Sequence, residues 1–102
     1  MEENRYWRNG QFAVLVSRGF GAGWSTWASG DSNFFATDSG LVECFLSKES
    51  PSSYIASQGF DVPYMGGWDD IEIVWLDSGT RFIIKEYDGS ESIQIESGVR
   101  WM

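Results

Sequence analysis

The last third of the chain alternates apolar and polar residues at a period of two, which commits it to half-buried strands. In Asp70 to Leu76 (DIEIVWL), Ile71, Ile73 and Trp75 share one face while Glu72, Val74 and Leu76 share the other. Asp77-Ser78-Gly79 is a turn, and Thr80 to Tyr87 (TRFIIKEY) returns with Phe82 and Ile84 on one side. Asp88-Gly89 is a two-residue hairpin signal. Ser92 to Glu96 then sets Ile93 and Ile95 inward against Gln94 and Glu96. Three runs this close, joined by short turns, predict an antiparallel β-meander.

The rest of the chain supplies one further strand and two short helices. Gln11 to Arg18 (QFAVLVSR) has a continuous apolar centre from Phe12 to Val16, the pattern of a strand covered on both faces. Gly19-Phe20-Gly21-Ala22-Gly23 ends it. Trp24-Ser25-Thr26-Trp27 reads equally as a short strand or an ordered loop, and Ser29 to Asn33 is a turn signal. Leu41, Val42, Phe45 and Leu46 fall on one helical face, with Asp38 or Ser39 as cap and Pro51 forcing a stop near Glu49. Ser50-Pro51 opens a second helix as N-cap and first-turn proline, Tyr54 and Ile55 are its buried contacts, and Gly59 ends it. Phe60 to Trp68, with Pro63 and Gly66-Gly67, is a loop. The expectation is a single α+β domain over residues 1–102: an N-terminal strand, two short helices, then a three-stranded antiparallel meander, with the helices packed on one sheet face.

Charge and chemistry narrow the function. Fifteen Asp and Glu oppose seven Lys and Arg, for a net charge of −8, and there is no His. A field of that sign repels nucleic acid and anionic membrane and attracts basic protein surfaces. The side chain most used for proton transfer near neutral pH is missing. Cys44 sits in the apolar stretch Leu41 to Leu46, where a thiol is inert, and it has no second Cys with which to form a disulfide. Both observations fit a non-enzymatic protein of a reducing cytoplasm. No apolar run approaches the roughly 20 residues of a membrane span, and Met1 to Arg5 lacks the order of a signal peptide.

Three groups of residues are candidates for a site. Aromatic side chains make up 17% of the chain, a surplus for so small a core. Trp24 and Trp27 in one loop, with Tyr64 and Trp68 in another, form either an aromatic anchor or the closed end of the core. Asp69, Asp70, Glu72, Glu86, Asp88 and Glu91 form either an acidic contact face or a solvated one that keeps the chain soluble. Asp70 and Glu72 share a strand face, yet no EF-hand spacing accompanies them, and neither a metal nor any other cofactor is expected. The glycine-rich loop fails the dinucleotide fingerprint, because Trp24 stands where its last Gly belongs, and no Walker ending is present. Arg18 beside free backbone N–H groups is a candidate contact for a single anionic group.

Two segments, Ser17 to Trp27 (SRGFGAGWSTW) and Glu86 to Ile93 (EYDGSESI), resemble stretches of small uncharacterised proteins encoded by bacteriophages and prophages. Small acidic proteins of that origin often inhibit host defence, as anti-CRISPR proteins do. The resemblance implies such a role, in the cytoplasm of a bacterial host, as a class expectation, and carries over no functional residues. The leading expectation is therefore a phage-type inhibitor of a basic, nucleic-acid-handling protein, itself contacting neither nucleic acid nor membrane. The alternative is a small-molecule binder that sequesters a nucleotide-like signal between Trp24, Trp27 and Trp68. A third reading is an enzyme using the Asp70 and Glu72 carboxylates. Surplus rings and open sheet edges also admit a homodimer.

Overall fold

Five consecutive apolar residues, Phe12 to Val16, run through strand β2 (Gln11–Ser17), and all five are completely buried. Burial on both faces requires a layer on each side, and that requirement organises the molecule. The computed structural model describes residues 5–21, 23–28, 32–61, 65–95 and 100–101. β2 lies between β1 (Trp7–Arg8) and β3 (Ile71–Asp77), antiparallel to both. A second antiparallel sheet has the order β4 (Phe82–Tyr87), β5 (Ser90–Ile95), β6 (Arg100–Trp101). With the helices, the chain is α+β.

The faces of β2 sort the core. Phe12, Val14 and Val16 join Val74 and Leu76 of β3 against Ile93 and Ile95 of β5, with Phe82 and Ile84 of β4 packed alongside. Ala13 and Leu15 face the helices, meeting Trp24, Phe35, Leu41, Val42 and Ile55. The first sheet is thus the middle layer, with the second sheet below it and the helices above.

This arrangement overturns the three-stranded meander. β3 pairs with β2, with Phe12 opposite Leu76 and Val14 opposite Val74, while β4 belongs to the other sheet. The physical reason is that β3 is apolar on both faces and needs the middle layer, whereas β4 offers only Phe82 and Ile84 on one face. Asp77 to Gly79 does turn, with Thr80 N–H donating to the Asp77 carbonyl at 3.0 Å, but it carries the chain from one sheet to the other. The Asp88-Gly89 hairpin forms with both residues at positive φ, 51° and 88°, the two-residue turn that the right-handed twist of its strands favours. Glu96 lies outside the described residues.

Three helices make the upper layer. α2 (Ser39–Leu46) starts where its cap demands: the Asp38 carboxylate accepts from Gly40 N–H at 3.0 Å and Leu41 N–H at 3.3 Å. Leu41 and Val42 are buried, but Leu46 is exposed, because the helix ends before its last turn reaches the core. α3 (Ser52–Ser57) buries Ile55, and Pro51 takes the capping position that was expected of Ser50. α1 (Ser32–Thr37) was not anticipated; it begins inside the stretch read as a turn and buries Phe35 and Ala36. Met65–Asp70, read as loop up to Trp68 and as strand from Asp70, is a 3₁₀ segment leading into β3.

The Tyr54 hydroxyl ties α3 to α2 by donating to the Asp38 carboxylate at 2.6 Å. Burial, and then that hydrogen bond, favour the neutral phenol and push its pKa well above the ordinary tyrosine value. A raised pKa contributes stability that is intact below the ordinary value and lost as pH rises through the folded one. An alkaline absorbance titration should therefore show a late-ionising phenol that disappears in Tyr54→Phe, a variant costing about 1 kcal/mol in urea unfolding. Leu15→Ala, at the centre of the middle sheet, should cost about 2–5 kcal/mol in the same measurement. Ile83→Ala, on an exposed strand face, should cost well under half as much.

Candidate functional site

The glycine-rich segment after β2 does hold an anionic group, and that group belongs to the protein. Glu91, in β5, is 1% exposed. Its Oε2 accepts from Trp24 N–H (2.8 Å), Thr26 N–H (3.0 Å) and the Thr26 hydroxyl (2.6 Å). Its Oε1 accepts from Ser17 N–H at 2.9 Å. Converging backbone N–H groups make an anion-binding concavity. Here its occupant arrives from the second sheet and pins the loop onto the β4–β5 hairpin. The carboxylate gets there by register, because Glu91 shares a strand face with Ile93 and Ile95, and all three point inward.

Arg18 completes the attachment, its guanidinium engaged within the protein. Its Nε meets Glu72 at 2.8 Å, its Nη1 donates to the Glu91 carbonyl at 3.3 Å, and its own carbonyl accepts from the Ser90 hydroxyl at 3.0 Å. Both side chains of the Arg18–Glu72 pair are substantially exposed, so the pair adds at most about 1 kcal/mol.

Two expected contact residues are thereby removed from the surface. Glu91 is enclosed with both oxygens satisfied, and Trp24 is 0% exposed, its Nε1 donating to the Phe35 carbonyl at 2.6 Å. Trp24 packs against Trp68 at 5.1 Å between centroids, and Trp68 against Phe45 at 5.7 Å. These rings fill the upper core, so Trp24 and Trp68 do not present free faces for a ligand to stack between. Tyr64 lies outside the described residues.

The remaining candidates other than Asp69 have contacts to the same loop or to Arg18 at its start. Trp27 is 44% exposed and donates from Nε1 to Glu86 Oε2 at 3.2 Å; that oxygen also accepts from Gly89 N–H at 2.7 Å. Gly21 N–H donates to the Asp88 carbonyl, and Arg18 N–H to the Asp70 carbonyl at 3.1 Å. The Asp70 side chain lies so close to Gly19 that a Cβ there would overlap its carboxylate. Asp69, Asp70, Glu72, Glu86 and Asp88 are all exposed. Sequence reasoning missed two aromatic members. Phe20 at the loop tip is 69% exposed, and Tyr87 at the end of β4 is 77% exposed; their rings meet edge to face at 6.4 Å. The signal for Phe20 was a large ring flanked by glycines, a place where no core can enclose it.

Around the glycine-rich loop stand the exposed Phe20–Tyr87 ring pair, exposed Trp27 on Glu86, and the carboxylates of Asp70, Glu72 and Asp88 with Arg18 as the nearby cation. Cys44, set apart on α2, is half-buried, and burial and then Glu49, Glu43 and Asp38 push its thiol pKa up, which holds it in the unreactive form. Among the described residues, no group of three or more Asp, Glu, Cys or His gathers to hold a metal ion, and no helix is long and apolar enough to cross a membrane. Comparison with protein-family models, with curated proteins and with solved structures returns no match.

Glu91→Gln keeps the shape of the buried side chain but turns an N–H₂ toward backbone donors and discards the charge. It should cost about 3 kcal/mol in urea unfolding, with amide shifts centred on Ser17, Trp24 and Thr26. Glu86→Gln, on the exposed rim, should cost less than about 1 kcal/mol.

Proposed function

We propose that this protein is a non-catalytic binding protein that docks on a basic protein surface through the acidic, aromatic patch around its glycine-rich loop. The observation that carries the reading is that exposed Phe20 and Tyr87 meet edge to face and exposed Trp27 donates to Glu86, where the glycine-rich loop joins the hairpin that also bears Asp88. Exposed rings supply large contact area at low entropic cost and act as anchors. The surrounding acids, on a chain of net charge −8, steer a basic partner and reject anionic ones. A surface of that character competes with phosphate for the same Lys and Arg. Its natural target is a protein that handles nucleic acid, which is the role that the resemblance to phage-encoded inhibitors also suggests.

Immobilised protein incubated with bacterial lysate at low salt should retain basic nucleic-acid-binding proteins. Duplex DNA, or about 0.5 M salt, should release them. The double variant Phe20→Ser, Tyr87→Ser should retain at least tenfold less while keeping wild-type stability to within about 0.5 kcal/mol, because both rings are mostly in solvent. Equal retention by the variant, or capture indifferent to salt and DNA, would sink the reading.

A further inference from the structure

Strand β4 is the outer edge of the second sheet, and its free side runs directly into the patch. A two-residue turn makes its flanking pair, Tyr87 and Ser90, a hydrogen-bonded one, and the pattern alternates from there along the antiparallel ladder. Lys85 and Ile83 therefore also direct their backbone groups at β5. Phe82, Ile84 and Glu86 direct theirs away from it, and among the described residues nothing pairs with those outward groups. Natural edges are usually shortened, bulged or covered. This one is six residues long and continuous, and Ile83 and Tyr87 are exposed on it.

Resting on the proposed docking function, we infer that the partner engages β4 by strand addition, contributing an extended basic segment that lengthens the second sheet. Main-chain hydrogen bonds to Phe82, Ile84 and Glu86 supply the affinity, and the alternate side chains supply the choice of partner. On the face shared by Phe82, Ile84 and Glu86, the incoming strand meets apolar groups first and a carboxylate last. A segment with an apolar residue beside Ile84 and, two residues further on, a Lys or Arg beside Glu86 matches that order. The opposite face carries Ile83, Lys85 and Tyr87, and Lys85 disfavours a second basic row there. A second copy of this chain is the poorer occupant, since pairing two molecules of charge −8 brings like charges together.

The test uses as probe a capped peptide in which Val, Val and Lys occupy successive alternate positions with Thr between them, and protein joined chemically at Cys44 so that one backbone position can be altered. N-methylation of Ile84 removes an outward N–H while leaving its side chain, the β4–β5 ladder and every charge in place. In the free protein, amide exchange should be fast at Phe82, Ile84 and Glu86 and slow at Ile83, Lys85 and Tyr87. The peptide should protect the first group, and N-methyl-Ile84 protein should bind it at least tenfold more weakly. Glu86→Gln, Asp88→Asn protein should bind severalfold more weakly yet show the same protection.

Undiminished binding by N-methyl-Ile84 protein, with shifts confined to Phe20, Trp27 and Tyr87, would overturn strand addition and leave the docking patch standing. Protection that appears without peptide and rises with protein concentration would overturn it in favour of a second copy. Failure of the peptide and of a folded basic protein alike to bind would remove the docking function itself.

Discussion

One buried carboxylate holds the two halves of this protein together. The outer layer of strands meets the middle sheet through apolar contacts of Ile93 and Ile95, which are non-directional. Glu91 adds direction: its four hydrogen bonds reach Ser17, Trp24 and Thr26, so the hairpin, the end of β2 and the glycine-rich loop share one geometry. Leaving a buried carboxylate without such partners would cost several kcal/mol, so the loop forms around it or the fold does not close. The surface follows from the same contact. Phe20 and Trp27 are presented by the segment that encloses Glu91, and Tyr87 and Asp88 by the hairpin that carries it.

The molecule divides its charge between two tasks. Glu91 is spent inside as a structural anion, and Asp38 caps α2 while receiving the Tyr54 hydroxyl. Glu86 stands between, receiving N–H groups from Trp27 and Gly89 while keeping an exposed edge. Only Asp70, Glu72 and Asp88 remain as acids of the patch without such a bond to the loop or turn, and Glu72 shares its charge with Arg18. The net excess of acid in the sequence therefore overstates what a partner meets at this surface. Aromatic residues divide in the same way, with Trp24 and Phe35 inside and Phe20 and Tyr87 outside.

What could be read from the sequence was whatever depends on neighbours along the chain. The apolar run of β2 implied two covered faces, Asp38 or Ser39 marked the start of α2, and Asp88-Gly89 marked the hairpin. Each is decided within a few residues by period, cap or turn geometry. The pairing of β3 was not legible in the same way, since a strand does not say which distant partner will lie beside it. Its apolar second face, Val74 and Leu76, was nonetheless a sign of a middle-layer strand. α1 was hidden by small polar residues that favour turns, and tertiary burial of Phe35 and Ala36 overrides that preference. Glu91 was the instructive miss. It stands two positions before Ile93 and four before Ile95, so the alternation that placed those residues inward placed it there too, and its charge obscured its phase.

That phase fixes the length of the turn beside it. Adding or deleting a single residue between Tyr87 and Glu91 would rotate β5 by half a period, lifting the carboxylate into solvent and exposing Ile93 and Ile95 with it. Hairpin tips in most proteins drift freely in size among descendants. Here the spacing from turn to acid is set by geometry, so a change in the number of tip residues keeps Glu91 inside only where a bulge ahead of it restores the phase.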